Sequence, residues 1–328
     1  MSDKPLVVLT NHLPSAVQKE MESNWNLIQV EGGGRNLLQV LADNPSVRGL
    51  IAFLSEPVGR EELAAAPDLM ILANYAVGYN NIDVAAAMER GVWVTHTPDV
   101  LTDATADQTL ALLLAVARRV VEGDRLMRRG GFRGWASDLM LGRELSGTVM
   151  GIVGMGRIGT AVARRAEAFG MRVVYHSRSR KHDLEAARGY TYMSFDELIK
   201  NSDVVSLHLP YSPELHHLVN ERTLASMRSG AILINVARGP LVDESALARS
   251  LAYRSIGGAG LDVYEFEPRV NSLLTTLDNV VLAPHTGSAT HRARTRMARM
   301  VEESISAALG GTLPPHLVPE WRSREEVR

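Results

Sequence analysis

Val149-Met-Gly-Ile-Val153 runs directly into Gly154-Met-Gly156-Arg-Ile-Gly159, and that into a helix-forming stretch, Ile158–Phe169. An apolar strand, a glycine turn and a helix in this order are the context in which G-x-G-x-x-G binds a dinucleotide. Each glycine has its reason. Gly154 makes the tight turn, Gly156 lets the backbone approach a pyrophosphate, and Gly159 lets the helix pack closely on the strand, with the helix N-terminus turned to the phosphates.

Outward from that turn, strand-like runs recur at Arg172–His176, Val204–His208, Ala231–Asn235, Gly258–Asp262 and Val280–Ala283. With Val149–Val153 they predict six strands separated by helices, a complete dinucleotide-fold sheet. The first hundred residues repeat the alternation with strands at Leu6–Leu9, Leu27–Val30, Gly49–Phe53, Met70–Ala73 and Val92–Thr95. Between them Leu37–Ala42, Arg60–Ala65 and Val84–Glu89 carry a helical period, punctuated by Pro45, Pro57 and Gly91. The crossovers are long enough for parallel sheets. Asp103 to Arg129 reads as one long helix bridging two domains, Ser288–Leu309 as another, and Gly32–Gly34 as a plain turn. No internal repeat interrupts this α/β pattern.

Composition bounds the function. The 328 residues suggest two domains at roughly 100 to 200 residues each. A net charge of −2 offers no field to draw in nucleic acid or an anionic membrane. The absence of cysteine excludes disulfides, iron–sulfur clusters, thiolate zinc sites and cysteine nucleophiles, and fits a reducing compartment. Met1-Ser-Asp-Lys4 lacks the basic and apolar regions of a signal peptide, and the apolar run Leu110–Ala117 is short of the about 20 residues that span a bilayer. A cytoplasmic protein is expected.

A dinucleotide site that prefers NAD carries an acid at the end of the second strand for the ribose hydroxyls. Ser177 stands there instead, within His176-Ser-Arg178-Ser-Arg180. Arg178 and Arg180, with the serine hydroxyls, suit a 2′-phosphate, because guanidinium pairs with phosphate where a carboxylate would repel it. NADP(H) is therefore the preferred cofactor, with NAD(H) as the alternative.

Further runs extend the reading. Asn74-Tyr-Ala-Val-Gly78-Tyr-Asn-Asn-Ile-Asp83, Thr97-Pro-Asp-Val-Leu-Thr-Asp-Ala-Thr-Ala-Asp107, Asn235-Val-Ala-Arg-Gly-Pro-Leu-Val-Asp243, Gly260-Leu-Asp-Val-Tyr-Glu-Phe-Glu-Pro268 and Pro284-His-Thr-Gly-Ser288 follow one another along the chain. In these runs, and over nearly its whole length, the chain resembles the D-isomer-specific 2-hydroxyacid dehydrogenases, within them the glyoxylate and hydroxypyruvate reductases. The resemblance implies a Rossmann dinucleotide-binding domain at 99–286. A smaller, flavodoxin-like substrate domain would be assembled from 1–98 and 287–328. It also implies a homodimer and a small 2-oxo acid substrate.

Residue by residue, Arg238 stands where that family keeps its substrate-binding arginine, Glu267 where it keeps an acid, and His285 where it keeps the proton donor. The chemistry asks for the same parts: a cation for the substrate carboxylate and a titratable donor for the oxygen that becomes an alkoxide. A carboxylate beside an imidazole fixes the ring and favours its proton-donating form. Val77 and Gly78 would offer backbone N–H groups to the substrate carboxylate. The resemblance places Thr105 and Asp262 near the nicotinamide. It completes the cofactor contacts with Met155, Arg157 and Ile158 in the glycine turn, Leu209 and Pro210, Val236 and Ala237, and Gly287.

The remaining histidines, His12, His96, His176, His182, His208, His216, His217, His291 and His316, have no metal-ligand spacing, so ordinary polar roles and no metal are expected. Two departures stand out. Many glyoxylate reductases carry a lid tryptophan where this chain has Leu139, with Trp135 four residues earlier, and Asp107 replaces a frequent glutamate. Reduction of larger 2-oxo acids such as 2-ketogluconate is one alternative, and a non-catalytic dinucleotide-sensing scaffold or corepressor is another.

Overall fold

The structure, a computed structural model, describes residues 4–30 and 35–325. The expected turn at Gly32–Gly34 and the start of the N-terminal Met1-Ser-Asp-Lys4 lie outside the described residues. The chain divides into two compact units, Met1–Leu101 with Thr290–Arg328, and Thr102–Ala289.

The first unit opens with β1 (Leu6–Leu9), α1 (Ser15–Asn24), β2 (Asn26–Gln29), α2 (Arg35–Asp43) and β3 (Val47–Ala52). It continues with α3 (Arg60–Ala65), β4 (Ile71–Asn74), α4 (Val84–Glu89) and β5 (Trp93–Thr95). The strands are all parallel, in the order β2-β1-β3-β4-β5, which is the flavodoxin-like winding. Helix α1 was not expected. Its buried stripe is only Val17 and Met21, too sparse to give a helical period in the sequence.

The second unit begins with α5 (Thr102–Ala117) and α6 (Val120–Arg128), where the sequence predicted one helix. The break has a visible cause. The Ala117 carbonyl accepts from the Arg143 N–H at 2.7 Å, and Arg119 turns left-handed at φ 54° while its guanidinium holds Glu122. There follow β6 (Val149–Val153), α7 (Arg157–Ala168), β7 (Arg172–His176), α8 (His182–Arg188), β8 (Thr191–Tyr192) and α9 (Phe195–Asn201). The unit closes with β9 (Val204–Leu207), α10 (Glu221–Ser226), β10 (Ile232–Asn235), α11 (Glu244–Ala252), β11 (Gly258–Leu261) and β12 (Val280–Leu282).

The second sheet has seven parallel strands and not six, in the order β12-β11-β10-β9-β6-β7-β8. The added strand, β8, is a two-residue edge that pairs with Val174 and Tyr175, too short to register as periodicity. β6, β9, β10 and β11 are buried along their whole length, as central parallel strands covered on both faces must be. The winding reverses between β6 and β9. Ligands of open α/β sheets sit at such a switch point, outside the carboxyl ends of the strands, and Gly154 follows β6 there.

The chain then returns to the first unit with α12 (His291–Leu309) and α13 (Pro319–Glu325). α12 begins three residues after the predicted Ser288, because the Thr290 hydroxyl caps it by accepting from the Ala293 N–H at 3.1 Å. It packs on β3 and β4, with Tyr75 donating to the Arg294 carbonyl at 2.7 Å and Arg299 paired to Glu20 of α1.

Candidate active site

The glycine turn is built as its three positions require. Gly154 has φ 101°, and a Cβ there would stand 2.7 Å from the His208 carbonyl oxygen; one at Gly159 would stand 2.1 Å from that of Gly154. Nothing lies within 4 Å of a Cβ on Gly156, which begins α7 without a side-chain cap. The first N–H groups of α7 lie at the positive end of the helix, where Gly156 leaves room beside the chain. Met155 is buried beneath them, and Leu209 packs beside Gly154, with the exposed Pro210 next to it.

Past β7, the buried Ser177 donates to the Ser179 carbonyl at 2.7 Å and closes the turn. The two arginines of this turn differ. Arg180 is gripped by Glu185 through Nε and Nη2, both at 2.8 Å, and lies over the Tyr192 ring. The Arg180 hydrogen bonds, followed by that of the Tyr175 hydroxyl, hold the Glu185 carboxyl down at about 2. Arg178 is exposed, and its guanidinium has no partner among the described residues.

Arg238 lies just past β10, in a loop shaped by Asn235, which accepts from the Ala237 N–H and donates to the Arg238 carbonyl, both at 3.0 Å. The Arg238 guanidinium donates to the Ala237 carbonyl at 2.6 Å, and Val236 and Ala237 are buried beside it. A Cβ on Gly239 would collide with the Tyr264 carbonyl, so only glycine lets this loop lie against the segment that leads to Glu267. Burial lowers the Arg238 pKa, against the opposing pull of the Glu267 charge.

Glu267 accepts from the Tyr264 N–H on Oε1 at 3.0 Å and meets His285 Nδ1 with Oε2 at 2.9 Å. Burial pushes this carboxyl up, but the His285 hydrogen bond and charge, the Tyr264 N–H and the Arg238 charge outweigh it and leave it below its ordinary value. His285 Nε2 has no partner among the described residues, and the side chain is 34% exposed.

The loop that carries His285 is anchored by Asp262. The Asp262 carbonyl accepts from the His285 N–H at 2.9 Å, Oδ1 from the Thr286 N–H at 2.7 Å, and Oδ2 from the Gly287 N–H at 2.7 Å. Burial raises the Asp262 pKa against these donors. Thr105, on α5, donates to the Gly287 carbonyl at 3.3 Å. His285 itself sits at φ 52°, a left-handed conformation costly for a non-glycine residue and held by this web of bonds.

In the first unit, the turn after β4 has all its carbonyls occupied on one side. The Thr97 N–H donates to the Ala76 carbonyl, His96 Nδ1 to that of Val77, and Asn74 Nδ2 to that of Gly78, each at 2.8 Å. The N–H groups of Val77 and Gly78 have no partner among the described residues. Two adjacent unpartnered donors with their carbonyls tied back have the form of a turn that can accept an anion.

Residues 110–287 match the sequence profile of the NAD-binding domain of D-isomer specific 2-hydroxyacid dehydrogenases. A glyoxylate reductase of Thermococcus litoralis is 46% identical over 320 residues, spanning 96% of this chain and 97% of that protein. The chain belongs to the D-isomer-specific 2-hydroxyacid dehydrogenases.

As a member of that family the dehydrogenase is an oxidoreductase with a nicotinamide dinucleotide cofactor. Its fold is similar to that of a Thermus thermophilus protein at a TM-score of 0.89 and 45% identity, covering 95% of this chain and 99% of that one. It is also similar to an NADPH-dependent glyoxylate/hydroxypyruvate reductase of Sinorhizobium meliloti, solved with NADP and malonate, at a TM-score of 0.87 and 32% identity, with 97% of each chain covered.

The structure brings Arg238, Glu267 and His285 of the dehydrogenase into one electrostatic cluster, and sets Asp262 and Thr105 around the loop of the last. Sequence reasoning had Asn74 only as the first residue of a run and gave His96 an ordinary polar role; neither was tied to the backbone carbonyl that it holds. The one available signal was a buried asparagine at a strand end, where an unpaired amide is costly. Leu139 and Trp135 are both exposed, in the segment after α6.

Proposed function

We propose that this dehydrogenase reduces small 2-oxo acids, glyoxylate to glycolate and hydroxypyruvate to D-glycerate, and prefers NADPH to NADH. The observation that carries the reading is the His285–Glu267 pair, with Nε2 left accessible and Arg238 close enough to perturb the carboxylate. The bound reduced nicotinamide supplies the hydride for C2 of the acid. The uncapped start of α7 and the open space over Gly156 fit the pyrophosphate of that cofactor.

His285 Nε2 donates its proton to the substrate oxygen as negative charge develops there, while Nδ1–H stays hydrogen-bonded to Glu267, which fixes the ring. The partly exposed side chain is reprotonated from solvent. Arg238 offers a planar, bidentate cation to the substrate's carboxylate and carbonyl oxygens, in surroundings dry enough to strengthen the attraction. The Val77 and Gly78 N–H groups receive the carboxylate. In this reading the first unit serves the acid with Val77 and Gly78, and the second holds the cofactor and carries Arg238 and His285. Ser177 in the acidic slot and the unpaired Arg178 favour a 2′-phosphate.

The active species is a homodimer. Its contact surface includes α6 and the following segment, where the apolar side chains Val120, Met127, Phe132, Trp135 and Leu141 are exposed. Among the described residues no helix is long and apolar enough to cross a membrane.

The test is NADPH and NADH oxidation with glyoxylate, hydroxypyruvate and 2-ketogluconate, alongside light scattering. The two small acids are expected to give the higher kcat/KM, with NADPH ahead and a dimeric mass. A preference for 2-ketogluconate or NADH, or a monomer, overturns the corresponding part.

A further inference from the structure

Away from this cluster, the loop after β9 and the segment after β11 bring His216, His217 and Glu265 together, with one donor atom of each lying within 4.8 Å of the others. We propose that these three side chains form a binding site for a divalent transition-metal ion of the zinc type. Two imidazoles and one carboxylate are the borderline donor set that selects zinc, nickel or cobalt over calcium and magnesium, whose sites are built from oxygen.

Two of the donors are already fixed. The Glu244 N–H holds Glu265 Oε2 at 3.3 Å, leaving Oε1 to meet His217 Nε2 at 2.7 Å. The His217 backbone is held in turn, its N–H donating to the Pro240 carbonyl at 2.9 Å and its carbonyl accepting from Asn220 at 3.1 Å. An ion replacing the shared proton needs ligand bonds of about 2.0–2.2 Å, which in a tetrahedral arrangement opens this pair to roughly 3.3 Å. That shift lies within the reach of one half-buried side chain.

The third donor must move. His216 stacks on His217 with ring centroids 3.9 Å apart and 21° between the planes, and near-parallel rings cannot both aim a lone pair at one ion. His216 is exposed, and its ring nitrogen is only loosely placed, 3.4 Å from the Tyr211 hydroxyl. Turning it out of the stack sacrifices little. Solvent supplies the fourth ligand. The site would clamp the loop after Leu209 and Pro210 to a residue two positions before Glu267, so it is adjacent to the reaction machinery without using any of its side chains.

The experiment is calorimetric titration of the full-length protein with zinc chloride, repeated on His216→Ala, Glu265→Gln and His285→Ala. The expected result is saturable binding of one zinc per chain. His216→Ala and Glu265→Gln should weaken it by at least about 10-fold, as loss of a metal-supporting group does, and His285→Ala should leave it unchanged. His216→Ala alters an exposed side chain, so its reading survives any folding defect in Glu265→Gln. Zinc diffraction from soaked crystals should place the ion among the three side chains. Absence of binding, undiminished affinity in His216→Ala, or loss of binding in His285→Ala overturns the proposal.

Discussion

The segment from Asp262 to Gly287 and the turn from Ser177 to Arg180 are both part of the dinucleotide-binding unit, yet they are built to opposite specifications. In the first, the two carboxylates nearest His285 are gripped: Asp262 by two backbone N–H groups, Glu267 by one and by His285, with Tyr264 tying the segment to Ala283. In the second, Ser177 closes the turn, one arginine is paired to Glu185 and the other is free among the described residues. Proton donation, the role proposed for the first region, needs geometry held to a fraction of an ångström, and there the two carboxylates nearest His285 are each held by named donors. Discrimination between two cofactors, the role proposed for the second, needs only a difference of charge, which an exposed turn provides. Substitutions should therefore cost most in the first region and least in the second.

After removal of His285 itself, Arg238→Lys, in the loop that lies against this first region, should produce the largest loss. It keeps the charge but not the planar fork, and a misplacement of this kind costs on the order of 100-fold in kcat/KM for glyoxylate. A wild-type value would remove Arg238 from substrate binding.

Asp262→Asn should come next, since an amide turned toward the Gly287 N–H sets donor against donor in a buried site. Unfolding in urea should show a loss of about 1–3 kcal/mol, together with a fall in kcat. Unchanged stability would mean that Asp262 does not anchor the His285 loop.

For Glu267 the folded carboxyl lies below its unfolded value, so its contribution to stability is complete above the unfolded pKa of about 4.5 and fades as pH falls through the depressed folded one. Melting curves of wild type and Glu267→Gln should differ at neutral pH and converge in acid. A gap independent of pH would dissolve the pairing with His285.

The smallest effects belong to the exposed turn. Arg178→Ala should lower the NADPH-to-NADH ratio of kcat/KM by about 10-fold, at the low end for a charge-assisted phosphate contact. Glu185→Gln, by releasing Arg180, should raise it. If both variants keep the wild-type ratio, discrimination lies elsewhere.

Much of this was legible in the sequence wherever the cause is local. The glycine turn and the strand–helix alternation obey spacings that the chain itself displays. What escaped was decided by distant backbone. The break at Arg119 comes from Arg143 capturing the Ala117 carbonyl, and β8 is too short to show a period. The Val77–Gly78 turn could be proposed from the resemblance, but Asn74 and His96, which free its N–H groups by holding the carbonyls, could not. The pairing of Arg180 with Glu185 likewise appears only once α8 is folded beside β7.

The most direct test of the account is NADPH oxidation by glyoxylate, measured for wild type and His285→Ala alongside NADPH binding. Wild type should turn over, and the variant should lose about 100- to 10,000-fold in kcat, the range of a general acid, while binding NADPH as before. Wild type inert toward glyoxylate, or a variant that keeps its kcat, would contradict it.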